Sequence, residues 1–97
     1  MNKEKFENFL QNKTYISKGK IKHYTSAGIL TRISSLEELE DKFNFNIDTI
    51  IQNRAGVISL LKRIRANNLE DLRHTPISNA VRHYYECMTG DKIERIF

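Results

Sequence analysis

The sequence predicts an all-α domain, a compact bundle of four to five short helices that spans residues 1–97. Apolar residues recur every three or four positions along most of the chain, which is the helical period. One proline and four glycines leave little material for a turn-rich β fold. A single domain of this length buries roughly two-thirds of its unfolded surface. We therefore expect a small helical core, with no sheet and no deep active-site cavity.

The N-terminal half supplies the first predicted helices. In residues 3–11, KEKFENFLQ, three apolar side chains form a short stripe that should dock onto the core. Residues 14–17 are predicted to be an extended link, and Ser17 is suited to cap the segment after it. In residues 18–43 these apolar positions follow helical spacing: Ile21, Tyr24, Ala27, Leu30, Ile33, Leu36, Leu39 and Phe43. This segment is either one bent helix or two helices that meet near Ser34, and we favour the bent helix.

Two shorter helices follow in the middle of the chain. Asn46 can cap a helix over residues 47–52, because its side chain can accept a hydrogen bond from a free backbone N–H group. A second helix starts near residue 56, and its apolar stripe consists of Val57, Leu60, Leu61 and Ile64. Residues 69–73 are predicted to form a single turn that leads into the last helix.

The last helix has the clearest start and stop signals in the sequence. Thr75 can cap it, Pro76 suits its first position, and Gly90 can take the left-handed conformation that ends a helix. The stripe predicted to be buried contains Ile77, Ala80, Val81, Tyr84, Cys87 and Met88. The opposite face carries Ser78, Arg82, Tyr85 and Glu86. We expect Cys87 to be a buried, unreactive thiol.

Two further expectations concern packing. The residues predicted to be buried together in the core are Phe9, Leu30, Leu60, Ile64, Val81 and Tyr84. The apolar residues at the C-terminus, Ile93, Ile96 and Phe97, should pack either back onto the first helix or onto a second copy in a homo-oligomer.

Charge is segregated along the chain, within a net charge of +4 and a pI near 9.3. Residues 13–32 hold five cations and no acid, residues 36–48 hold five acids and one lysine, and residues 54–65 hold four cations and no acid. Such blocks indicate one basic face on the folded domain, and nucleic acid is the commonest partner of such a face. The alternative is a solvated helical surface with a mild excess of lysine.

Catalysis and metal binding have little support in the sequence. His83 and Cys87 lie four residues apart on one helix, where they could form a nucleophilic pair or supply two zinc ligands, yet no third group is positioned beside them. A single cysteine excludes an internal disulfide and fits a reducing cytoplasm. We also find neither an apolar run of membrane length nor the apolar core of a signal peptide. We expect no enzyme, no metal and no cofactor.

Three runs of the chain resemble the core-binding (SAM-like) N-terminal domain of tyrosine recombinases and phage integrases. They are FENFL, SKGKIKHYTSAGILTRISSLEELE and TPISNAVRHYYECMTG. That family has a helix of the pattern polar-small-x-T-x-x-x-Y and a closing helix reading roughly S-A-x-R-x-F/Y-Y-x-F. Standing in those places here are Tyr24, Ser78, Arg82, Tyr84 and Tyr85. The resemblance implies a bundle of four or five helices that grips duplex DNA through its phosphates. The family's catalytic half has no counterpart in this sequence.

These observations predict a small, non-catalytic duplex DNA-binding module from a phage or another mobile element. The predicted DNA contacts are Lys18, Lys20, Lys22, His23, Arg32, Arg63, Arg65 and Arg82. Arg82 could alternatively pair with Glu86 on a solvated face, and the acidic residues 37–41 would repel DNA if they shared the binding face. The second hypothesis is a phage or mobile-element protein that binds and inhibits a host protein that handles nucleic acid, such as a defence protein.

Overall fold

Five α-helices and one β-hairpin form the part of the chain that the structure, a computed structural model, describes: residues 1–67 and 77–93. The elements are α1 (Lys3–Asn12), β1 (Thr14–Ser17), β2 (Lys20–His23), α2 (Ser26–Phe43), α3 (Ile47–Ile50), α4 (Arg54–Ala66) and α5 (Ile77–Thr89). The five helices confirm the predicted helical bundle. The predictions for residues 69–73, Thr75, Pro76, Ile96 and Phe97 lie outside the described residues.

Polar side chains cap four of these helices at their N-termini. The capping residues are Asn2, Thr25, Asn46 and Asn53, and each accepts a hydrogen bond from a backbone N–H in the first turn. Such bonds satisfy donors that the start of a helix leaves without an intrahelical partner. The predicted cap at Asn46 is confirmed, although α3 ends at Ile50 and is shorter than predicted.

The hairpin is the main departure from the predicted fold, and the expectation of no sheet is wrong. Lys18 and Gly19 both have positive φ, 52° and 77°, as a two-residue type I′ hairpin turn requires. β1 and β2 pair in antiparallel register on either side of this turn. The predicted helix over residues 18–43 therefore begins only at Ser26, after the Thr25 cap.

The rest of that segment is one continuous helix, and not two helices that meet near Ser34. α2 runs unbroken through residues 34 and 35, and the Ser35 hydroxyl donates to the Thr31 carbonyl at 2.8 Å. This bond gives a buried hydroxyl its partner inside the helix, where an unpaired one would be costly. The serines that weakened the helical pattern are thus accommodated without ending the helix.

The core forms where α5 packs against α1, α2 and α4. The residues that α5 contributes to this core are Ile77, Ala80, Val81, Tyr84 and Tyr85. Because α5 has neighbours on several sides, Tyr85 is only 4% exposed and does not lie on a polar face as predicted. Cys87 is half-buried at the edge of the core, so the prediction of a buried thiol is only partly met.

Four of the six residues predicted to be buried together are buried: Leu60, Ile64, Val81 and Tyr84. Phe9 is half-buried against the same core. Leu30 is 59% exposed, so its prediction is wrong. The buried stripe of α2 contains Ile29, Ile33, Leu36 and Leu39. Leu30 lies about 100° around the helix from Ile29, on the solvent side.

A polar anchor joins α5 to the start of the chain and to α3. The Tyr84 hydroxyl donates to Asp48 Oδ1 at 2.5 Å and accepts from the Asn2 N–H at 2.8 Å. The ammonium group of Met1 lies 2.8 Å from Asp48 Oδ2. Burial acts to raise the pKa of Asp48, but these two partners outweigh it and lower the pKa below its ordinary value. The edge of Tyr84 also meets the Phe6 ring, with centroids 5.1 Å apart.

The residues after α5 return to the body of the domain. Ile93 is 6% exposed and packs in the core, so this part of the predicted apolar tail docks on its own chain. The Lys92 carbonyl accepts a hydrogen bond from Arg54 at 3.2 Å. Within the described ranges, none of the helices has both the length and the apolar character needed to cross a membrane.

Candidate nucleic-acid interface

The hairpin presents two chemically different faces. Cross-strand partners in an antiparallel pair share a face, and successive residues alternate between faces. The register pairs Tyr15 with Lys22 and Ser17 with Lys20, which defines what we term the inner face. The outer face carries the other two pairs, Thr14 with His23 and Ile16 with Ile21. His23, predicted to act with the lysines, therefore lies on the face opposite Lys20 and Lys22.

Aromatic contacts on the inner face attach the hairpin to the helices. The Tyr15 and Tyr24 rings have centroids 4.9 Å apart. Tyr24 in turn meets the edge of His83 on α5 at 5.8 Å. Neither strand packs extensively against a helix. The inner face is thus turned toward the helices and the outer face away from them. Tyr24 lies in the link between β2 and α2, and not on a helix as the recombinase pattern implied.

Arg32 holds Tyr24 in place from α2. Its guanidinium carbon lies 4.2 Å from the centroid of the Tyr24 ring. Its Nε donates to Asn79 Oδ1 on α5, and its Nη1 donates to the Gly28 carbonyl, both at 3.1 Å. These contacts stabilise the link between the hairpin and the helices. Arg32 therefore positions Tyr24 and is engaged within the domain, and its predicted contact with DNA stays a prediction.

The three hairpin lysines and His23 are all exposed. Lys18 lies at the tip, while Lys20 and Lys22 lie along β2 on the inner face. Within residues 1–67 and 77–93, the structure gives none of these four side chains an ion pair with an acid. The lysine ammonium groups are thus open to an anion from outside the domain.

His83 lies at the base of the hairpin, among cations. Burial, together with the nearby charges of Lys13, Arg32 and Arg82, lowers the pKa of His83 to about 4, and the opposing effect of Glu86 offsets only part of this shift. The ring is therefore neutral at physiological pH. Its buried Nδ1 has no hydrogen-bond partner among the described residues. The structure thus brings two predicted contacts, Arg32 and Arg82, to the same region as the hairpin.

Ion pairs organise the cations on α5's side of this region. Glu86 bridges Lys13, at 2.8 Å, and Lys92, at 3.7 Å. Together with Arg82 and His83, these three side chains line a shallow cleft of about 180 Å³. The Glu86 carboxylate thus has lysine partners from outside α5.

Arg63 and Arg65, the remaining predicted contacts, belong to α4. Both are exposed, and the Arg63 guanidinium lies 4.0 Å from the centroid of the Phe43 ring. Phe43 ends α2, eleven positions after Arg32, which corresponds to roughly 16 Å along the helix axis. The predicted basic face is therefore divided between the hairpin end of α2 and its opposite end.

Two acidic residues of α2 have partners away from the hairpin. Glu37 pairs with Lys3 on α1 at 3.2 Å. Glu40 Oε2 accepts a hydrogen bond from the Ile47 N–H at 2.9 Å and so fixes the start of α3. Both lie in the C-terminal half of α2, whereas the hairpin is attached near its N-terminus. This arrangement reduces the repulsion that the acidic block would exert on a phosphate backbone at the hairpin.

His83 and Cys87 have separate partners in the structure. His83 meets Tyr24, while Cys87 Sγ donates to the Lys5 carbonyl at 3.6 Å. Burial raises the pKa of the Cys87 thiol, which disfavours the thiolate that a nucleophile requires. Among the described residues, no three His, Cys, Asp or Glu side chains are close enough together to hold a metal ion.

Comparison of the chain with models of known protein families, with curated proteins and with solved structures finds no match. The resemblance to recombinase core-binding domains accordingly stays a prediction.

The sequence alone did not identify Tyr15, Ile16 and Ile21 as part of the candidate interface. The available signal was a two-residue Lys-Gly segment with β-branched and aromatic residues close by on both sides. Lys at the first turn position is an unusual choice, since Asn, Asp and Gly tolerate positive φ better. The helical spacing of Ile21 and Tyr24 therefore predicts a helix from residue 18, and β2 falls inside that predicted helix.

Proposed function

We propose that this protein is a small, non-catalytic duplex DNA-binding module of a phage or mobile element, and that its hairpin binds DNA. One observation carries the proposal: a protruding hairpin exposes three lysines that the described residues leave without acidic partners. Unpaired lysines on a narrow element can enter a groove that is flanked by phosphates. The resemblance to recombinase core-binding domains is consistent with this role.

The residues divide into three roles. Lys18, Lys20 and Lys22 contact phosphates directly, because they are exposed and long enough to reach a duplex beside the hairpin. Arg32 acts through Tyr24, which it holds against the helices. Arg82, half-buried beside His83, supplies a further positive charge at the hairpin base. Arg63 and Arg65 lie too far along the domain to belong to the primary contact.

A salt titration tests the proposal. Binding of a labelled random duplex is followed by fluorescence anisotropy between about 50 and 200 mM salt, the range over which counterion release is steep. Each of Lys18→Ala, Lys20→Ala and Lys22→Ala should lower the log–log slope by about 0.9, since each removes one phosphate contact. Lys42→Ala is the matched control, because Lys42 is an exposed lysine in the last turn of α2 and its loss should leave the slope unchanged. Equal effects from all four variants would contradict a specific role for the hairpin.

A second candidate function is inhibition of a host protein that handles nucleic acid. The observation that favours it is the exposure of Ile16, 78%, and Ile21, 74%, which is typical of surfaces that bind proteins. If wild-type protein shows no salt-sensitive duplex binding, a pull-down with the Ile16→Thr/Ile21→Thr variant as control becomes the deciding experiment. A partner retained by wild type and lost by that variant would support the second function.

A further inference from the structure

We infer that the outer face of the hairpin reads base edges in the major groove and that Ile16 and Ile21 contact thymine methyl groups. This inference rests on the proposed DNA binding and goes further, because it assigns a sequence preference to residues that carry no charge. It also names the ligand more narrowly, as B-form duplex that contains A·T pairs.

The composition of the outer face is the first observation. It contains Thr14, Ile16, Ile21 and His23, and all four are exposed. The two isoleucines are direct cross-strand partners, so they form one continuous apolar surface. A hydroxyl and an imidazole stand opposite each other at the next pair on the same face. The face therefore offers one apolar contact area flanked by two hydrogen-bonding groups.

The orientation of the hairpin is the second observation. Its inner face is held toward α2 and α5 through Tyr15, Tyr24 and Arg32. The outer face consequently points away from the helical body, where a duplex can approach without colliding with the helices. Large β-branched apolar side chains gain nothing from solvent, and within the described residues nothing covers this pair. Contact with another molecule would therefore bury these two side chains.

The width of a two-stranded ribbon determines whether it can enter the major or the minor groove of a duplex. Strands lie about 5 Å apart, which fits a major groove about 12 Å wide but not a minor groove about 6 Å wide. Each four-residue strand extends roughly 13 Å, which covers about four base pairs. With the outer face on the base edges, Lys20 and Lys22 project from the opposite face and can reach around to phosphates on the groove wall. Lys18, at the tip, belongs to the same cationic rim.

Base-edge chemistry matches the outer-face residues. In the major groove the thymine 5-methyl group is the apolar feature, and apolar side chains recognise it by direct contact. The Thr14 hydroxyl and the His23 imidazole can each donate to or accept from neighbouring base edges. The apolar pair thus distinguishes thymine from cytosine, and the polar pair adds a hydrogen-bonded position beside it.

Replacing thymine by deoxyuridine tests the inference with the wild-type protein. Two duplexes of alternating A·T pairs are compared, identical except that one carries deoxyuridine at every thymine position and so lacks the 5-methyl groups. Wild type should bind the thymine duplex more tightly, by about fourfold for each methyl group buried, since burial of one such group is worth about 0.8 kcal/mol. This arm requires no substitution, so misfolding cannot account for the result.

The matching variant is Ile16→Thr/Ile21→Thr, which keeps β-branched residues in the strands and removes the apolar ends. Its preference for the thymine duplex should be smaller than that of wild type, because each threonine keeps only one methyl group for the contact. Leu30→Gln is the control, because Leu30 is an exposed apolar residue on α2 and its loss should leave the thymine preference intact.

The outcomes separate this inference from the proposed function. Salt-sensitive binding with equal affinity for both duplexes would overturn base reading by the outer face and leave DNA binding standing. A thymine preference as large in Ile16→Thr/Ile21→Thr as in wild type would also overturn it. Absence of any duplex binding by wild type at low salt would overturn both, whereas a preference that is reduced in this variant and unchanged in Leu30→Gln would support both.

Discussion

Stability should depend on pH through His83, and the size of the effect follows from its surroundings. Burial, together with Lys13, Arg32 and Arg82, lowers the pKa of His83 from its ordinary value of 6.5 to about 4. In the unfolded chain these influences are lost and the ring titrates near its ordinary value. Between these two values the unfolded chain binds a proton that the folded protein excludes. Stability must therefore fall as the pH falls from 6.5 toward 4.

The shift in the pKa of His83 sets the largest loss of stability that its protonation can cause. A change from 6.5 to about 4 corresponds to about 3 kcal/mol if its full value is expressed. His83 is half-buried, so water reduces both the cost of burying the charged ring and its repulsion by the cations, and a loss of about 1–2 kcal/mol is the better expectation. Asp48 acts in a lower range: its pKa is lowered, so its contribution is present above its ordinary pKa of 3.8 and is lost only below that value.

Urea unfolding near pH 7 and near pH 4.5 measures the effect for wild type and for His83→Gln, which has no titrating ring. Wild type should lose about 1–2 kcal/mol more than the variant between these conditions, because only wild type takes up a proton at this position on unfolding. His23→Gln is the control, since His23 is exposed on β2, and it should follow the wild-type profile. Parallel profiles for wild type and His83→Gln would show that the ring is not held neutral by its neighbours.

Four further results are expected. Leu60→Ala should cost about 2–5 kcal/mol in urea unfolding, because Leu60 is buried in the core, and a loss below about 0.5 kcal/mol would contradict its placement. Tyr24→Ala should cost about 1–3 kcal/mol and abolish amide-exchange protection in the hairpin, whereas Tyr24→Phe keeps the ring and should do neither. Gly19→Ala should destabilise the hairpin by about 1 kcal/mol because φ is 77°, and unchanged cross-strand NMR contacts and exchange rates would argue against the I′ turn. Cys87 should react slowly with a thiol reagent near pH 7, since burial raises its pKa; labelling as fast as that of an unfolded control would refute this.

Helical periodicity predicted α4 and α5 well because both have a single dominant apolar stripe. Four of the apolar residues expected along α4 are buried in the structure: Val57, Leu60, Leu61 and Ile64. A stripe of this kind follows from geometry that any helix shares. Capping was predictable at Asn46 for the same reason, because a side-chain acceptor before a helix acts locally.

The error at the hairpin explains the error in α2. Ile21 and Tyr24 are three residues apart and continue the spacing of Ala27, Leu30 and Ile33, so they extend an apparent helix backwards. That extension set the phase of the predicted stripe and placed Leu30 in the core, where Ile29 is found. A hairpin exposed on both faces has no buried side to impose a visible alternation.

Charge counts listed the cations correctly but could not assign their partners. Arg32 donates a hydrogen bond to Asn79, and Lys13 forms an ion pair with Glu86, and both contacts join residues that are distant in sequence. Such pairs exist only after the helices have packed, so composition cannot separate a positioning arginine from an exposed one. The lysines of the hairpin differ from these two because the described residues provide no acid near them.

The attachment of the hairpin makes the proposed DNA binding depend on side chains outside the proposed contact surface. A two-stranded hairpin is at best marginally stable in water, so its order depends on contacts with the rest of the domain. Those contacts run from Tyr24 to Arg32 and from Arg32 to Asn79 on α5. A duplex that binds only the ordered hairpin must supply whatever ordering free energy these contacts fail to provide. Asn79→Ala should therefore weaken duplex binding while leaving the salt slope unchanged, because the number of phosphate contacts in the complex stays the same. An altered slope would mean that the region around Asn79 contacts the phosphates itself.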